Sequence, residues 1–249
     1  MQVTFRTLVP DRRGVCLRIK KLHDWPNTPQ EAESIQKDLS RLVITEVDDF
    51  QYNLVTAIDT SWDDRSGRAY AVAVTIDISD FNEVERSRAE GDVTFPYRPS
   101  MLSFREGPLI LKALERLKVT PDVLLLAGHG LAHPLGFGLA SHIGLLADTA
   151  SVGCARRILF GRFDEPKDVF GQSSPIYCGR KICGYVLRSR VGVKPVFVSP
   201  GHKCNVDFSL KLAQNCLNGY RMPGPLRLAR MAANRLKDTA QNNEDAVKN

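Results

Sequence analysis

The stretch "PDVLLLAGHGLAHPLG", Pro121 to Gly136, constrains the fold more than any other part of the chain. Val123–Ala127 is uniformly apolar and stops abruptly at Gly-His-Gly and then at His-Pro. Such a run reads as a buried strand, and a buried strand needs covering layers. It delivers a polar, glycine-bearing loop, which is a common way to build an active site. The residue at the end of the strand, where a catalytic side chain is expected, is Ala127.

The flanking sequence supplies the layers. Thr28 as N-cap, Pro29 at the first helical position and the stripe Ala32, Ile35, Leu39, Leu42 predict a helix from Pro29 to Val43. "NLVTAIDTSW" and "GRAYAVAVTIDIS" read as a hairpin across "DDRSG". "EGPLILKALERLKV" predicts a second helix, "GFGLASHIGLLAD" a short one and "ASVGCA" a short strand. "KICGYVLRS" and "KPVFVSP" follow as a later pair of strands, then "NVDFSLKLAQNCLN" and "GPLRLARMAANRLKD" as amphipathic helices. This order predicts an α/β fold with a mixed central sheet flanked by helices in a single domain over residues 22–237. Residues 1–21 read as a basic extension and 238–249 as a polar tail expected to fray.

Charge bears on the partner. The net charge of +6 and pI near 9.1 are compatible with a polyanion. The six cysteines show no framework spacing. Cys178 and Cys183 are close, but no second pair completes a zinc site, so the expectation is small buried thiols in a reducing compartment. No stretch of about 18 apolar residues is present and the N-terminus lacks a signal-peptide core. The resulting expectation is a cytoplasmic monomer that does not enter membranes.

Several polar residues fall at predicted element ends. Asp59 interrupts an apolar strand and reads either as a turn-capping aspartate or as a metal ligand. Glu106 opens a predicted helix, where a carboxylate favours the dipole or serves a metal. Tyr97 is held between Pro96 and Pro99, which makes a stiff loop presenting a ring. His129 and His133 are separated by Gly130 and followed by Pro134, which argues against a helical zinc pair. His202 sits at a strand-to-helix junction, where local hydrogen bonding is the alternative to a site role. The pattern suits metal-assisted hydrolysis better than Ser or Cys catalysis, and no GxSxG or Walker sequence is present.

The blocks "LHDWPNTPQEAESIQKDL", "AIDTSW", "PYRPSMLSFREGP", "PDVLLLAGHGLAHPLGFGLASHIG" and "VSPGHKCNVDFSLKLAQNCLNGYRMPGPLRLARMAANRL" resemble endonuclease V, the deoxyinosine-specific repair nuclease family. The resemblance runs in order over roughly Leu22 to Leu236. It implies a ribonuclease H-like fold and Mg²⁺, with Mn²⁺ as the alternative ion. It also implies hydrolysis of the second phosphodiester bond 3′ to inosine in DNA, with inosine-containing RNA as a further partner. Hypoxanthine pairs less well than the parent base, which lowers the cost of flipping it out. By resemblance, Asp59 matches the first metal-binding aspartate, Glu106 the catalytic and metal-binding glutamate, and His202 the late active-site histidine. Tyr97 matches the wedge, and Leu102, Gly128, His133 and Leu139 match the lesion pocket.

Three departures stand out. The family's glycine after the wedge loop is Ser100, its second metal-binding aspartate is Ala127, and its active-site lysine is Arg156. Arginine keeps the charge but differs in reach and proton transfer. Mg²⁺ relies on few, well-placed oxygen ligands, so loss of one carboxylate predicts weakened metal binding and impaired cleavage. Two readings follow: an endonuclease with an altered metal site, or a weak or silent relative that binds lesion-containing or structured nucleic acid without cutting it. A ribonuclease H-like nuclease without inosine preference is a third.

Overall fold

The computed structural model describes residues 17–47 and 50–248. Most of the expected N-terminal extension lies outside them. The described part of it packs on the domain: Leu17 is buried with the core, and the Lys20 N–H donates to the Leu146 carbonyl at 2.7 Å.

The elements, in chain order, are α1 (Pro29–Ser40), β1 (Leu54–Asp63), β2 (Arg68–Asp77), β3 (Glu83–Asp92), α2 (Leu102–Glu115), β4 (Val123–Leu126), α3 (Leu139–Ala147) and β5 (Ala150–Ala155). Then come β6 (Arg162–Phe163), β7 (Ser173–Cys178), β8 (Lys181–Leu187), β9 (Val196–Pro200), α4 (Val206–Asn215) and α5 (Gly224–Lys248). One sheet runs β3-β2-β1-β4-β5-β9-β8-β7-β6. The β1–β4 and β4–β5 pairs are parallel and the others antiparallel, so the sheet is mixed.

Side-chain alternation divides the core. Val55, Ala57, Val72, Val74, Val123 and Leu125 face α4 and α5. Ile58, Ala71, Ala73, Leu124 and Leu126 face α2 and α3. The β4 strand is buried at all four positions, as its apolar run demands. Thr28 and Glu31 form a capping box at the start of α1, which ends at Ser40, short of the predicted Val43.

Other differences have identifiable causes. β3 was not anticipated because "EVERSRAEGD" is mostly charged; it is an edge strand with an exposed face. α2 begins at Leu102, one turn before the Glu106 that the sequence suggested as its start, and carries Pro108 inside. α5 continues through the polar stretch to Lys248 where fraying was expected, and Arg65 pairs with Asp245 at 2.9 Å. Cys154, Cys204 and Cys216 are free and buried, as expected, but Cys178 and Cys183 form a disulfide across the β7–β8 hairpin. Their spacing serves a local cross-link, which the expectation of thiols missed.

Candidate functional site

Parallel register brings the site together. Ile58 pairs with Leu126 and Leu126 with Gly153, so Asp59 and Ala127 are neighbours just beyond the paired ends of β1 and β4. The Ala127 N–H donates to the Ile58 carbonyl at 3.1 Å, which fixes this alignment. Ala127 packs with the α5-side core, the face on which Asp59 meets Arg230 of α5. Arg156 follows β5 at the next strand end and acts electrostatically on Asp59.

Asp59 and Glu106 form a buried acidic pair. Glu106 lies in the second turn of α2, so a capping role is excluded by its position. Its side chain hydrogen-bonds Thr60. Gly107 lets α2 sit against Trp25: a Cβ there would lie 2.6 Å from the Trp25 ring. Burial pushes the Asp59 carboxyl up to about 6, against the opposing pull of Arg230, the Thr60 amide and Arg156. Burial and then the Asp59 charge push Glu106 up to about 8.

Arg230 decides what this pair can hold. Its Nε lies 2.8 Å from Asp59 Oδ2, and its Nη1 donates to the Thr60 carbonyl at 2.7 Å. A guanidinium therefore stands against the Asp59 carboxylate. Among the described residues no group of three His, Cys, Asp or Glu could hold a metal ion. Two carboxylates, one of them paired with arginine, leave a sparser donor set for Mg²⁺ or Mn²⁺ than one with a third carboxylate at Ala127 would.

His202 is not brought to this pair, which corrects the sequence expectation. Its N–H donates to Ser151 Oγ at 2.8 Å, its Nδ1 accepts from the Ile44 N–H at 3.2 Å, and its Nε2 faces Asp148 at 3.8 Å. Ser151 pairs with Leu124, toward the opposite ends of the parallel strands and about 10 Å along them from Ala127. His202 thus ties the loop after β9 to α3 and β5. The late polar residue that reaches Asp59 is Arg230, hidden in "LRLARMAANRL" as an ordinary helix-surface arginine.

The remaining expected residues do meet. Tyr97, Leu102, Gly128, His133 and Leu139 line one cavity of about 260 Å³, with His129 and Gly138 beside them. Arg157, Ile158 and Leu159 form a wall that the sequence did not suggest. Tyr97 is 67% exposed between its prolines, while its neighbours in the cavity are mostly covered. The loop after β4 folds tightly under the cavity because Gly130 admits backbone: a Cβ there would lie 1.9 Å from the Pro200 carbonyl oxygen.

His133 holds the loop that carries Tyr97 and Ser100. It accepts at Nδ1 from the Leu135 N–H at 3.1 Å, so its Nε2–H donates to the Ser100 carbonyl at 2.7 Å. Gln36 donates to the same carbonyl at 2.8 Å. Burial lowers the His133 pKa, in keeping with this neutral tautomer. Ser100 itself has φ +66°, a conformation that favours glycine. His129 bonds the Arg157 carbonyl at 2.9 Å and is pushed down to about 4 by burial.

The mixed sheet, its helices on both faces and the acidic pair at the strand ends define a ribonuclease H-like protein. The Endonuclease V family model matches residues 37–231. The chain belongs to the endonuclease V family. It is 45% identical over 213 residues to the endonuclease V of Methanothrix thermoacetophila, covering 86% of this chain and 94% of that protein. The crystal structure of endonuclease V from Streptomyces avermitilis superposes with a TM-score of 0.82 at 34% identity, covering 91% of this chain and 100% of the other. Endonuclease V of Ciona intestinalis, solved with a 24mer DNA containing an inosine followed by a ribo-adenosine, gives 0.74 at 25% identity over 85% of this chain and 98% of that one.

Proposed function

We propose that this chain is a nucleic-acid-binding member of the endonuclease V family that recognises inosine, with metal-dependent cleavage strongly reduced or lost. The observation that carries the reading is the contrast between two neighbouring regions. The cavity behind Tyr97 keeps the residues that match the family's lesion pocket. The acidic pair beside it lacks a carboxylate at Ala127 and carries Arg230 on Asp59 at 2.8 Å.

Each region has a definite role in this reading. Tyr97 fills the helix where the base leaves, and Leu102, Gly128, His133 and Leu139 enclose the flipped base. His133 and Gln36 position the wedge loop through Ser100. The cleavage that the family resemblance implies, at the second phosphodiester bond 3′ to the lesion, would draw on a divalent metal. Such an ion supplies water activation and charge neutralisation when bound. Here Arg230 neutralises Asp59 instead.

A deoxyinosine duplex tests both halves. Binding is measured against a matched control duplex, and cleavage is followed with Mg²⁺ and with Mn²⁺. The expected result is preferential binding with little or no cutting. Rapid cleavage by the unmodified chain overturns the loss of catalysis, and equal affinity for the control overturns lesion recognition. Inosine-containing RNA run in parallel ranks the two nucleic acids.

A further inference from the structure

Beside Asp59 lies a second cavity, of about 390 Å³, lined by Arg156, Tyr220, Arg221, Met222, Arg227 and Arg230 among others. Four guanidinium groups therefore share one concavity with a single acidic lining residue, Asp59, which Arg230 already engages. Arg227 and Arg230 sit in the first two turns of α5, at the positive end of the helix dipole, where cations are disfavoured. Arg227 is held over the Tyr220 ring at 3.8 Å. Arg221 is anchored on the Arg156 and Pro195 carbonyls at 2.6 and 3.0 Å, and its Nε is buried with no hydrogen-bond partner. Burial first, and then Arg156 and Arg157, lower its pKa, as crowding of like charge requires.

Crowding of this kind costs free energy unless an anion completes it. Guanidinium groups match phosphate oxygens in geometry as well as charge. Position selects the source of the phosphate. Arg156 lines this cavity and Arg157 lines the base-sized cavity, so the two lie on either side of one short loop. Because adjacent residues line the two cavities, a strand with its base behind Tyr97 would have its backbone within reach of the arginines.

We propose that the cavity lined by Arg156, Arg221, Arg227 and Arg230 is a metal-independent phosphate site that grips a backbone phosphodiester of the bound strand. The arginines stand in for the missing divalent cation in charge but not in chemistry: they hold the phosphate and leave it uncut. The inference rests on the reading that the chain binds nucleic acid, but it does not require inosine preference.

The test is fluorescence anisotropy with deoxyinosine and control duplexes, in chelator and across a salt series, for the unmodified chain, Arg156→Ala and Arg227→Ala. Neither arginine pairs with a buried carboxylate, and thermal melting confirms that the variants fold. Expected results are affinity unchanged by chelator and a salt slope lowered in each variant, by no more than the roughly 0.9 that one shared phosphate contributes. Slopes unchanged in both variants, or binding that requires added Mg²⁺, overturn the proposal. Lowered slopes on both duplexes without inosine preference leave the phosphate site standing and remove the lesion reading. Inorganic phosphate alone is the second arm. Its stabilisation of the unmodified chain, combined with strand binding indifferent to both arginines, would reassign the site to free phosphate and overturn the strand assignment.

Discussion

At the scale of single residues, the acidic site departs from the family pattern by side chains and not by backbone. Ala127 already sits beside Asp59 through the fixed β1–β4 register, so an aspartate there would be delivered to the right place. Arg230 would still occupy Asp59. Ala127→Asp alone is therefore expected to recover little Mn²⁺ binding, while Ala127→Asp with Arg230→Gln recovers substantially more. Mn²⁺ titration followed by electron paramagnetic resonance distinguishes them, and full recovery in the single variant would contradict the blocking role of Arg230. Ser100 makes a second residue-scale case. Its φ of +66° costs an L-residue roughly 1–2 kcal/mol, partly offset by glycine's greater freedom when unfolded. Ser100→Gly should thus stabilise by about 0.5 kcal/mol in urea denaturation. Asp59 was legible in the sequence because a carboxylate breaks an apolar pattern, and Glu106 through its block "SFREGP" and its place near a predicted helix start. Arg230 was not, because an arginine on an amphipathic helix normally means a solvated face; only its place in the first turns of α5, the wrong end for a cation, was a signal.

At the scale of elements, legibility followed hydrophobic patterning. The β1–β2 hairpin and β4 could be read because their apolar runs admit few other uses. β3 escaped because edge strands are held by backbone bonding and carry charges that disguise them. The start of α2 was misplaced because Pro108 usually opens a helix and here falls inside one. The same helix yields a prediction. Gly107→Ala places a methyl 2.6 Å from the Trp25 ring, and overpacking of this kind costs about 1–3 kcal/mol. Near-ultraviolet circular dichroism should show altered tryptophan packing, and the denaturation midpoint should fall. A native spectrum with unchanged stability would mean that Trp25 does not anchor the segment before α1 to α2.

At the scale of the whole molecule, the buried acids couple stability to pH. Both have folded pKa values raised above their ordinary 3.8 and 4.5, to about 6 and about 8. Their contribution is fully present below the ordinary values and is lost as pH rises through the folded ones. The melting temperature should therefore fall as pH rises from about 4 to about 8. Glu106→Gln should flatten the upper part of that fall, and an unchanged profile would show that Glu106 is not the group titrating. Among the described residues no helix is long and apolar enough to cross a membrane.

One further consequence belongs to α2. Leu102 on the wall of the base-sized cavity and Glu106 of the acidic pair are four residues apart on this helix, about 6 Å in rise. On the proposed reading the helix is thus a ruler between the cavity that would take a base and the acidic pair. A base pressed against Leu102 leaves the chain no freedom in how far away the acidic pair lies. Inserting one alanine between them would lengthen the ruler by only about 1.5 Å but turn its far mark by about 100°. Phase, more than distance, would be lost.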